Sequence, residues 1–203
     1  MRAPELRALL AEALPRLAAH EDELRDLDAA LGDGDLGITV RSGTHAVVAA
    51  LDALPDDAAL DEVFRAAGKA FSIANPSTFA ALVGGALLAA AKVVGDDLDR
   101  EATVAVMTAA IDRIQERGKA ELGDKTVLDA LVPTRDLLAG GAAGARQLHE
   151  LALARVVATA ALTSARGRAA WVGERSVGNA DPGATAYAHL LGALADSLEG
   201  RDA

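Results

Sequence analysis

Residues 5–17 read ELRALLAEALPRL, and this stretch sets the pattern for most of the chain. Its leucines return every three or four positions, which places them on one face of an α-helix. Similar spacing recurs in three later segments, at residues 63–71, 104–114 and 187–198. Because no segment sustains the period-two alternation of a half-buried strand, the sequence predicts an all-α fold.

The composition supports the helical prediction. The chain has 203 residues, of which 51% are hydrophobic and only 2% are aromatic. It is also rich in Ala, the strongest helix former. Breakers such as Pro55, Gly95 and Gly118 divide it into about eight helices with short connections. We therefore expect an up-and-down helical bundle or barrel, built as a single domain over residues 1–203.

The charge balance and the missing cysteines exclude several classes of function. Lys plus Arg is 20 and Asp plus Glu is 30, which gives a net charge of -10. This acidity argues against nucleic-acid and anionic-membrane partners. With no cysteine there are no disulfides, thiolate metal sites or thiol nucleophiles. The chain starts without a secretory pattern, and the apolar run at residues 80–91 is too short to cross a bilayer, so we expect a cytoplasmic protein.

The first chemical signal is the segment at residues 28–37, DAALGDGDLG. Its aspartates, Asp28, Asp33 and Asp35, are interleaved with glycines that permit a sharp backbone reversal. Such a turn can aim three carboxylates at one point, and oxygen ligands suit Mg²⁺ or Ca²⁺. The next segment, residues 38–51, has a helical pattern, and its first amides would favour an anion. Together these features predict a site where carboxylates hold metal and the metal holds the phosphates of a nucleotide.

This segment also matches other patterns. A plain solvated turn stays open, because Gly and Asp are common turn residues. The glycines at 32, 34 and 37 match a dinucleotide fingerprint, but the polar segment at residues 21–26 stands where that motif needs an apolar strand. An EF-hand needs Gly at its sixth position, which is Asp33 when counted from Asp28. The four histidines are scattered along the chain and are expected to be surface or core residues rather than ligands.

Two later segments are rich in glycine and charge. Residues 117–129 read RGKAELGDKTVLD, and residues 167–185 read GRAAWVGERSVGNADPGAT. Thr126 and Asp129 have the spacing of a capping box, while Asp181 before a proline is typical of a helix start. Each segment could be an ordinary helix connection, although the second carries more charge than a connection requires.

These three motifs, in this order, resemble the nucleotide-binding subunit, subunit L, of dihydroxyacetone kinases, and the resemblance covers essentially the whole chain. It implies an eight-helix antiparallel barrel with the nucleotide at one end. It also implies Mg²⁺-dependent phosphoryl transfer to dihydroxyacetone or another short ketose or polyol. The donor would be ATP, or a bound ADP that a phosphotransferase-system protein recharges. The acceptor would be held by a separate substrate-binding subunit K, and a homodimer is left open.

The resemblance also implies roles for individual residues. Asp28, Asp33 and Asp35 would bind two Mg²⁺ ions and, with Arg168, form the catalytic set. The residues that would contact ADP or ATP are Leu36, Gly37, Ile38, Thr39, Ser77, Thr78, Gly118, Val127, Arg168, Asp181, Pro182 and Gly183. For Val127, core packing is the simpler alternative.

The sequence departs from the family pattern in part of the phosphate cradle. Leu36 stands where the family usually has His, Thr39 replaces an Asn, and NPSTF at residues 75–79 replaces a Gly-Gly-x-Ser-Gly turn. Backbone that approaches phosphate closely normally needs glycine. One alternative is therefore a degenerate homologue that binds nucleotide or regulates without catalysis. A fatty-acid-kinase-like nucleotide domain is a second alternative, against which the short chain argues.

Overall fold

The computed structural model describes residues 1–141 and 143–201, and within these ranges the chain forms only helices and their connections. The elements are α1 (Ala3–Ala18), α2 (Glu21–Leu31), α3 (Leu36–Asp52), α4 (Leu60–Ala74), α5 (Thr78–Ala90), α6 (Arg100–Gly118), α7 (Leu128–Ala139), α8 (Ala145–Thr159), a 3₁₀ segment (Arg168–Ser176) and α9 (Pro182–Glu199). The predicted all-α class is confirmed. None of the helices described here is long and apolar enough to traverse a lipid bilayer.

Eight of these helices form a closed antiparallel ring. From α3 to α9 each helix packs against the next, and α1 joins α3 to α9. Near the start of α1, Arg7 donates hydrogen bonds to the carbonyl oxygens of Leu54 and Pro55, just beyond the end of α3, at 3.1 and 2.8 Å. Arg201, beyond the end of α9, pairs with Glu12 of α1 at 2.6 Å. The start of α1 thus lies near the end of α3, and the end of α9 lies against α1. Helix α1 therefore runs antiparallel to both neighbours, as the eight-helix barrel requires.

The described residues form one α-helix more than the eight of the ring, and this additional helix is α2. It lies outside the ring and packs across α3, α9 and the 3₁₀ segment. Only its apolar side is buried, with Leu24 and Leu31 at 0% and 2% exposure. The sequence did not separate α2 from α1 because both are helical and only a short turn at His20 divides them. This extra helix carries Asp28 to one end of the barrel.

Small residues let the helices of the ring approach closely. A Cβ on Gly68 of α4 would lie 2.9 Å from the carbonyl oxygen of Gly84 on α5. A Cβ on Gly43 of α3 would lie 2.5 Å from the ring of Phe71 on α4. A larger residue would have to displace backbone at Gly68 and the Phe71 ring at Gly43, so glycine at these two positions allows α3, α4 and α5 to pack closely.

Four helices begin at the end of the barrel where α2 lies, namely α3, α5, α7 and α9. The Asn75 Nδ2 atom, at the end of α4, donates a hydrogen bond to Thr39 Oγ1 on α3 at 2.8 Å. A Cβ on Gly183 of α9 would lie 3.6 Å from Phe79 of α5 and 3.7 Å from Val127 at the start of α7. Helix N-termini carry partial positive charge, so this end of the barrel favours an anion.

Candidate metal and nucleotide site

The three predicted aspartates meet at the start of α3. One carboxylate oxygen from each of Asp28, Asp33 and Asp35 lies within 4.8 Å of the others. Asp28 belongs to α2, and the other two occupy the turn between α2 and α3. Asp28 Oδ2 accepts hydrogen bonds from the backbone amides of Asp35 at 2.9 Å and Leu36 at 3.2 Å. These two bonds close the turn and fix the position of the Asp28 carboxylate.

The glycines of the turn make this geometry accessible. Gly34 has φ +74°, a conformation that side chains disfavour. A Cβ on Gly37 would overlap the carbonyl oxygen of Glu21, so the backbone of α3 is in direct contact with the start of α2. A Cβ on Gly32 would lie 3.0 Å from Asp28 Oδ1, the oxygen that the turn amides leave free. Glycine at these positions therefore keeps both the turn and the space beside the carboxylate.

The site concentrates negative charge and supplies one arginine to offset it. Burial raises the pKa of the Asp35 carboxyl, and the neighbouring Asp28 raises it further. Arg168 contacts Asp33, and its Nη1 atom lies 4.0 Å from Asp35 Oδ2. Its side chain is 49% exposed, so this end of the 3₁₀ segment is open to solvent. The pairing brings the third sequence motif to the first one.

The three carboxylates suit a hard cation. Mg²⁺ binds oxygen at about 2.0–2.1 Å, so two ligands of one ion lie about 3–4 Å apart, and two ions bridged by ligands need only slightly more room. The 4.8 Å limit on the separations among Asp28, Asp33 and Asp35 is compatible with ligands that share one or two such ions. In the described part of the chain, one other group of side chains has metal-binding spacing, formed by His20, Glu23 and His189. That second group contains nitrogen ligands, so the all-oxygen group is the one that fits Mg²⁺.

The first turn of α3 presents its backbone rather than its side chains to the carboxylates. Leu36 is buried at 5% exposure and belongs to the core formed by α1 to α5. Its side chain therefore lies on the opposite side from the amide that bonds Asp28. Ile38 is 44% exposed, and Thr39 is buried at 1% with its hydroxyl bonded to Asn75.

The other predicted nucleotide residues lie at helix ends near the same face. Ser77 caps α5, and its Oγ accepts a hydrogen bond from the Ala80 amide at 3.1 Å, beside an exposed Thr78. Asp181 caps α9 by accepting from the Ala184 amide at 2.7 Å, and Pro182 follows as the first helical residue. This confirms the predicted helix start at residues 181–182. The structure brings Val127 and Gly183 together, whereas Gly118 ends α6 beside α5.

A buried lysine, which the sequence analysis did not single out, joins the second motif to the third. Lys125 is 1% exposed, and its Nζ donates to the carbonyl oxygens of Ala160, Leu162 and Ser176 at 3.0, 2.9 and 2.6 Å. Burial lowers the pKa of its ammonium. Lysine is seldom buried, so sequence alone gives no reason to place it inside. Its three bonds tie the connection before the 3₁₀ segment to the last residue of that segment, which also carries Arg168.

Only one half of the capping box predicted at Thr126 and Asp129 is present, because α7 takes Val127 as its N-cap and Thr126 Oγ1 accepts instead from the Leu128 amide at 3.3 Å. Asp129 Oδ2 accepts a hydrogen bond from the Thr126 amide at 2.8 Å, and Oδ1 accepts from the Gly123 amide at 2.7 Å. Asp129 is 1% exposed. Its two bonds shape the turn from residue 123 to residue 126, in which Lys125 takes a positive φ of 59°. The second motif thus acts at least as a scaffold for the site end of the barrel.

The structure brings together two of the four histidines that are scattered in the sequence. His20 and His189 lie near opposite ends of the chain, yet their rings stack with centroids 3.6 Å apart and an angle of 11° between planes. No local pattern signals such a pair, because the contact arises only when α9 closes the ring beside α2.

The fold and the acidic turn define a class: an all-helical barrel with a cluster of three carboxylates at one end. Residues 30–196 match the DAK2 domain, and the chain therefore belongs to the DAK2 domain family. It is 33% identical over 186 residues to the PEP-dependent dihydroxyacetone kinase 1 ADP-binding subunit DhaL of Listeria innocua, with 88% of each chain covered. It is 31% identical to the PTS-dependent dihydroxyacetone kinase ADP-binding subunit DhaL of Lactococcus lactis, with 88% of this chain and 89% of that protein covered.

Longer proteins also match. The chain is 41% identical over 189 residues to L-erythrulose 1-kinase of Mycolicibacterium smegmatis, with 89% of this chain covered but only 33% of that protein. Among solved structures, the dihydroxyacetone kinase of C. freundii superimposes with a TM-score of 0.79 at 24% identity, over 96% of this chain and 34% of that one. The chain thus spans about a third of these longer relatives, and the structural likeness establishes the barrel fold.

Proposed function

We propose that this chain is the nucleotide-binding, phosphoryl-transferring subunit of a Mg²⁺-dependent kinase for dihydroxyacetone or a related short ketose or polyol. The observation that carries the proposal is the convergence of Asp28, Asp33 and Asp35 at the start of α3, with Arg168 beside them. Two relatives that match over most of their length are named as ADP-binding subunits of dihydroxyacetone kinases, and another as an erythrulose kinase. A nucleotide-dependent role of this kind would place the chain in the cytoplasm.

The residues of the site divide the work of phosphoryl transfer. Bound Mg²⁺, for which we propose two ions, would supply neutralisation of the phosphate oxygens. Asp28, Asp33 and Asp35 would hold the ions, and the first amides of α3 would donate to phosphate oxygens. Arg168 would leave Asp33 and pair with the phosphates, where a planar guanidinium can make two charge-assisted hydrogen bonds. Such a site acts by positioning and charge compensation.

The remaining predicted residues would form the wall for the nucleoside. Val127 and Gly183 already lie together where α7 and α9 begin, and Gly118 ends the neighbouring α6. Because Asp181 and Pro182 fix the first turn of α9, they would set the position of the Gly183 backbone. Ser77 and Thr78 would contribute the start of α5. We propose binding roles for all of them on the basis of this shared location.

A separate substrate-binding subunit would complete the catalyst. The site lies at an open end of the barrel, where Ile38 and Trp171 are exposed at 44% and 87%. A partner that holds the sugar would cover this surface and bring a hydroxyl group to the phosphate. Phosphoryl supply from a phosphotransferase-system protein through bound ADP agrees with the name of the L. lactis relative. Direct supply from ATP agrees with the C. freundii dihydroxyacetone kinase structure in complex with AMP-PNP and Mg²⁺.

A specific observation favours the second candidate, a nucleotide-binding regulatory homologue without catalysis. At residues 75–79 the glycines of the family pattern are replaced, and Asn75 is committed to its bond with Thr39. Phe79 packs edge-to-face on Phe71 with ring centroids 6.3 Å apart, and it borders Gly183. A large ring there narrows the approach of a nucleotide to the start of α5.

A reconstituted assay separates the two candidates. The chain would be combined with a DhaK-type substrate-binding subunit, Mg²⁺, dihydroxyacetone or erythrulose, and either ATP or a phosphotransferase-system donor. The kinase proposal expects sugar phosphate, with the rate falling at least 10²-fold in Asp33→Asn. Asp97→Asn is the matched control, because it removes the same charge from an exposed acid outside the site. Asp97 pairs with Arg2, just before α1. Nucleotide binding without turnover would support the regulatory candidate, and no nucleotide binding would exclude both.

A further inference from the structure

A second group of potential metal ligands lies where the turn between α1 and α2 meets α9. Glu23 Oε2 is 3.2 Å from His20 Nδ1 and 2.9 Å from His189 Nε2. One ligand atom from each residue lies within 4.8 Å of the other two. The group is distinct from the three aspartates, because it uses the first turn of α2 and the middle of α9 rather than the turn before α3.

The environment of His189 points to a ligand. Its side chain is only 15% exposed. Its Nε2 atom is buried and completes no hydrogen bond in the described structure, although Glu23 Oε2 lies within bonding distance. A buried polar atom without a partner is costly. The Glu23 carboxylate therefore approaches His189 Nε2 from a direction that forms no hydrogen bond, and this nitrogen is available to a ligand.

The chemistry of this donor set selects a transition metal. Two imidazole nitrogens and one carboxylate oxygen are ligands that Zn²⁺ binds at about 2.0–2.2 Å, which puts neighbouring ligand atoms about 3.3–3.6 Å apart. Mg²⁺ prefers oxygen ligands throughout. The two rings are stacked with an angle of only 11° between their planes, so both must rotate before their in-plane nitrogen lone pairs converge on one ion. We propose that His20, Glu23 and His189 form a binding site for Zn²⁺ or a similar divalent transition metal, with water in the remaining position.

Such a site would fasten α2 to the barrel. Its ligands come from both ends of the chain, so the folded state binds metal far better than the unfolded chain does. Helix α2 carries Glu23 in its first turn and Asp28 farther along. A metal bound at Glu23 would hold α2 against α9 without contacting Asp28 or the other two aspartates.

Zinc titration of the whole chain tests the proposal. Protein without an affinity tag, stripped with chelator and then saturated with Mg²⁺, would be titrated with zinc chloride near pH 7.5 and monitored by calorimetry and thermal unfolding. We expect one Zn²⁺ per chain and a melting temperature raised by roughly 5–10 °C at a hundredfold excess over Kd. Co²⁺ should give the visible absorption of a four-coordinate site. His189→Gln and His20→Gln should each weaken binding at least tenfold.

Three controls keep the result specific. His45→Gln should bind zinc like the unmodified chain, because His45 lies in the groove between α1 and α3. Asp33→Asn should retain the zinc response, which separates this proposal from the function proposed for the aspartates. Circular dichroism would establish that the histidine variants are folded. The proposal is overturned if zinc leaves the melting temperature unchanged, if the histidine variants bind it normally, or if Asp33→Asn abolishes the effect.

Discussion

Arg168 is paired with Asp33 across the space that separates the 3₁₀ segment from the turn before α3. Its Nη1 atom also lies 4.0 Å from Asp35 Oδ2. The guanidinium thus neutralises part of the negative charge of Asp33 and Asp35, which a bound metal ion would neutralise in its place. A cation that binds these carboxylates must displace it, and the displaced arginine is then free to pair with phosphate. Metal and nucleotide binding should consequently depend on Arg168 in opposite ways.

Arg168→Met should separate these two effects. We expect Mg²⁺ alone to bind several-fold more tightly, because a competing cation is gone. Mg²⁺ with nucleotide should bind about tenfold more weakly or worse, because charge-assisted hydrogen bonds to phosphate are lost. The single Trp, Trp171, lies in the same segment, so its fluorescence reports both titrations. Arg175→Met, an exposed change in that segment, should alter neither affinity, and equal shifts in both for Arg168→Met would contradict the displacement.

Gly37→Ala should disrupt the metal site through the backbone. The new Cβ would overlap the Glu21 carbonyl oxygen, so α2 must move away from α3 and take Asp28 with it. We expect a loss of about 2–4 kcal/mol of folding stability, as for other overpacked contacts, and weaker Mg²⁺ binding. Gly95→Ala is the control, because a Cβ there meets nothing within 4 Å. Urea unfolding and Mg²⁺ titration measure both effects, and a fully stable Gly37→Ala variant would show that the contact is not limiting.

The sequence predicted the features that local pattern encodes. Helical spacing and helix breakers predicted an up-and-down bundle or barrel, and the family resemblance added the closed eight-helix arrangement. The expected helix over residues 38–51 is observed as Leu36–Asp52. The alternation of Asp and Gly predicted the convergence of carboxylates, since the whole turn lies within a few residues. Even the core position of Leu36 follows from helical phase, once the helix is known to begin there.

What the sequence did not reveal depends on contacts between distant segments. The stacking of His20 on His189 requires α9 to close the ring against the start of α2. The burial of Lys125 requires carbonyl oxygens from the end of α8 and the end of the 3₁₀ segment to face one point. Neither arrangement leaves a periodic or compositional trace in the segment that contains the residue. Pairwise geometry of this kind emerges only with the tertiary structure.

Lys125→Met should test the scaffold beneath Arg168. The substitution leaves the carbonyl oxygens of Ala160, Leu162 and Ser176 without their donor, which we expect to cost about 3–5 kcal/mol. Lys119→Met is a closely matched control. Lys119 is exposed and has a positive φ of 53°, close to the 59° of Lys125. Both variants therefore place Met in the same left-handed backbone conformation. Chemical denaturation should show a loss for Lys125→Met only, and similar losses in both would assign the effect to backbone conformation.

Asp181→Asn should change how stability depends on pH. Burial raises the pKa of the Asp181 carboxyl to about 6 from 3.8, with a further contribution from Asp129. A raised carboxyl pKa means that the folded state holds its proton more tightly, so stability falls as pH rises from about 4 to about 6 and then levels. Asparagine keeps an oxygen to cap Ala184 but cannot ionise. The variant should therefore lose less stability than the unmodified chain over that interval. The stability of the variant minus that of the unmodified chain should be about 1–3 kcal/mol larger at pH 8 than at pH 4. Urea unfolding at pH 4, 6 and 8 measures this, and parallel pH profiles would show that Asp181 ionises as freely in the folded chain as in the unfolded one.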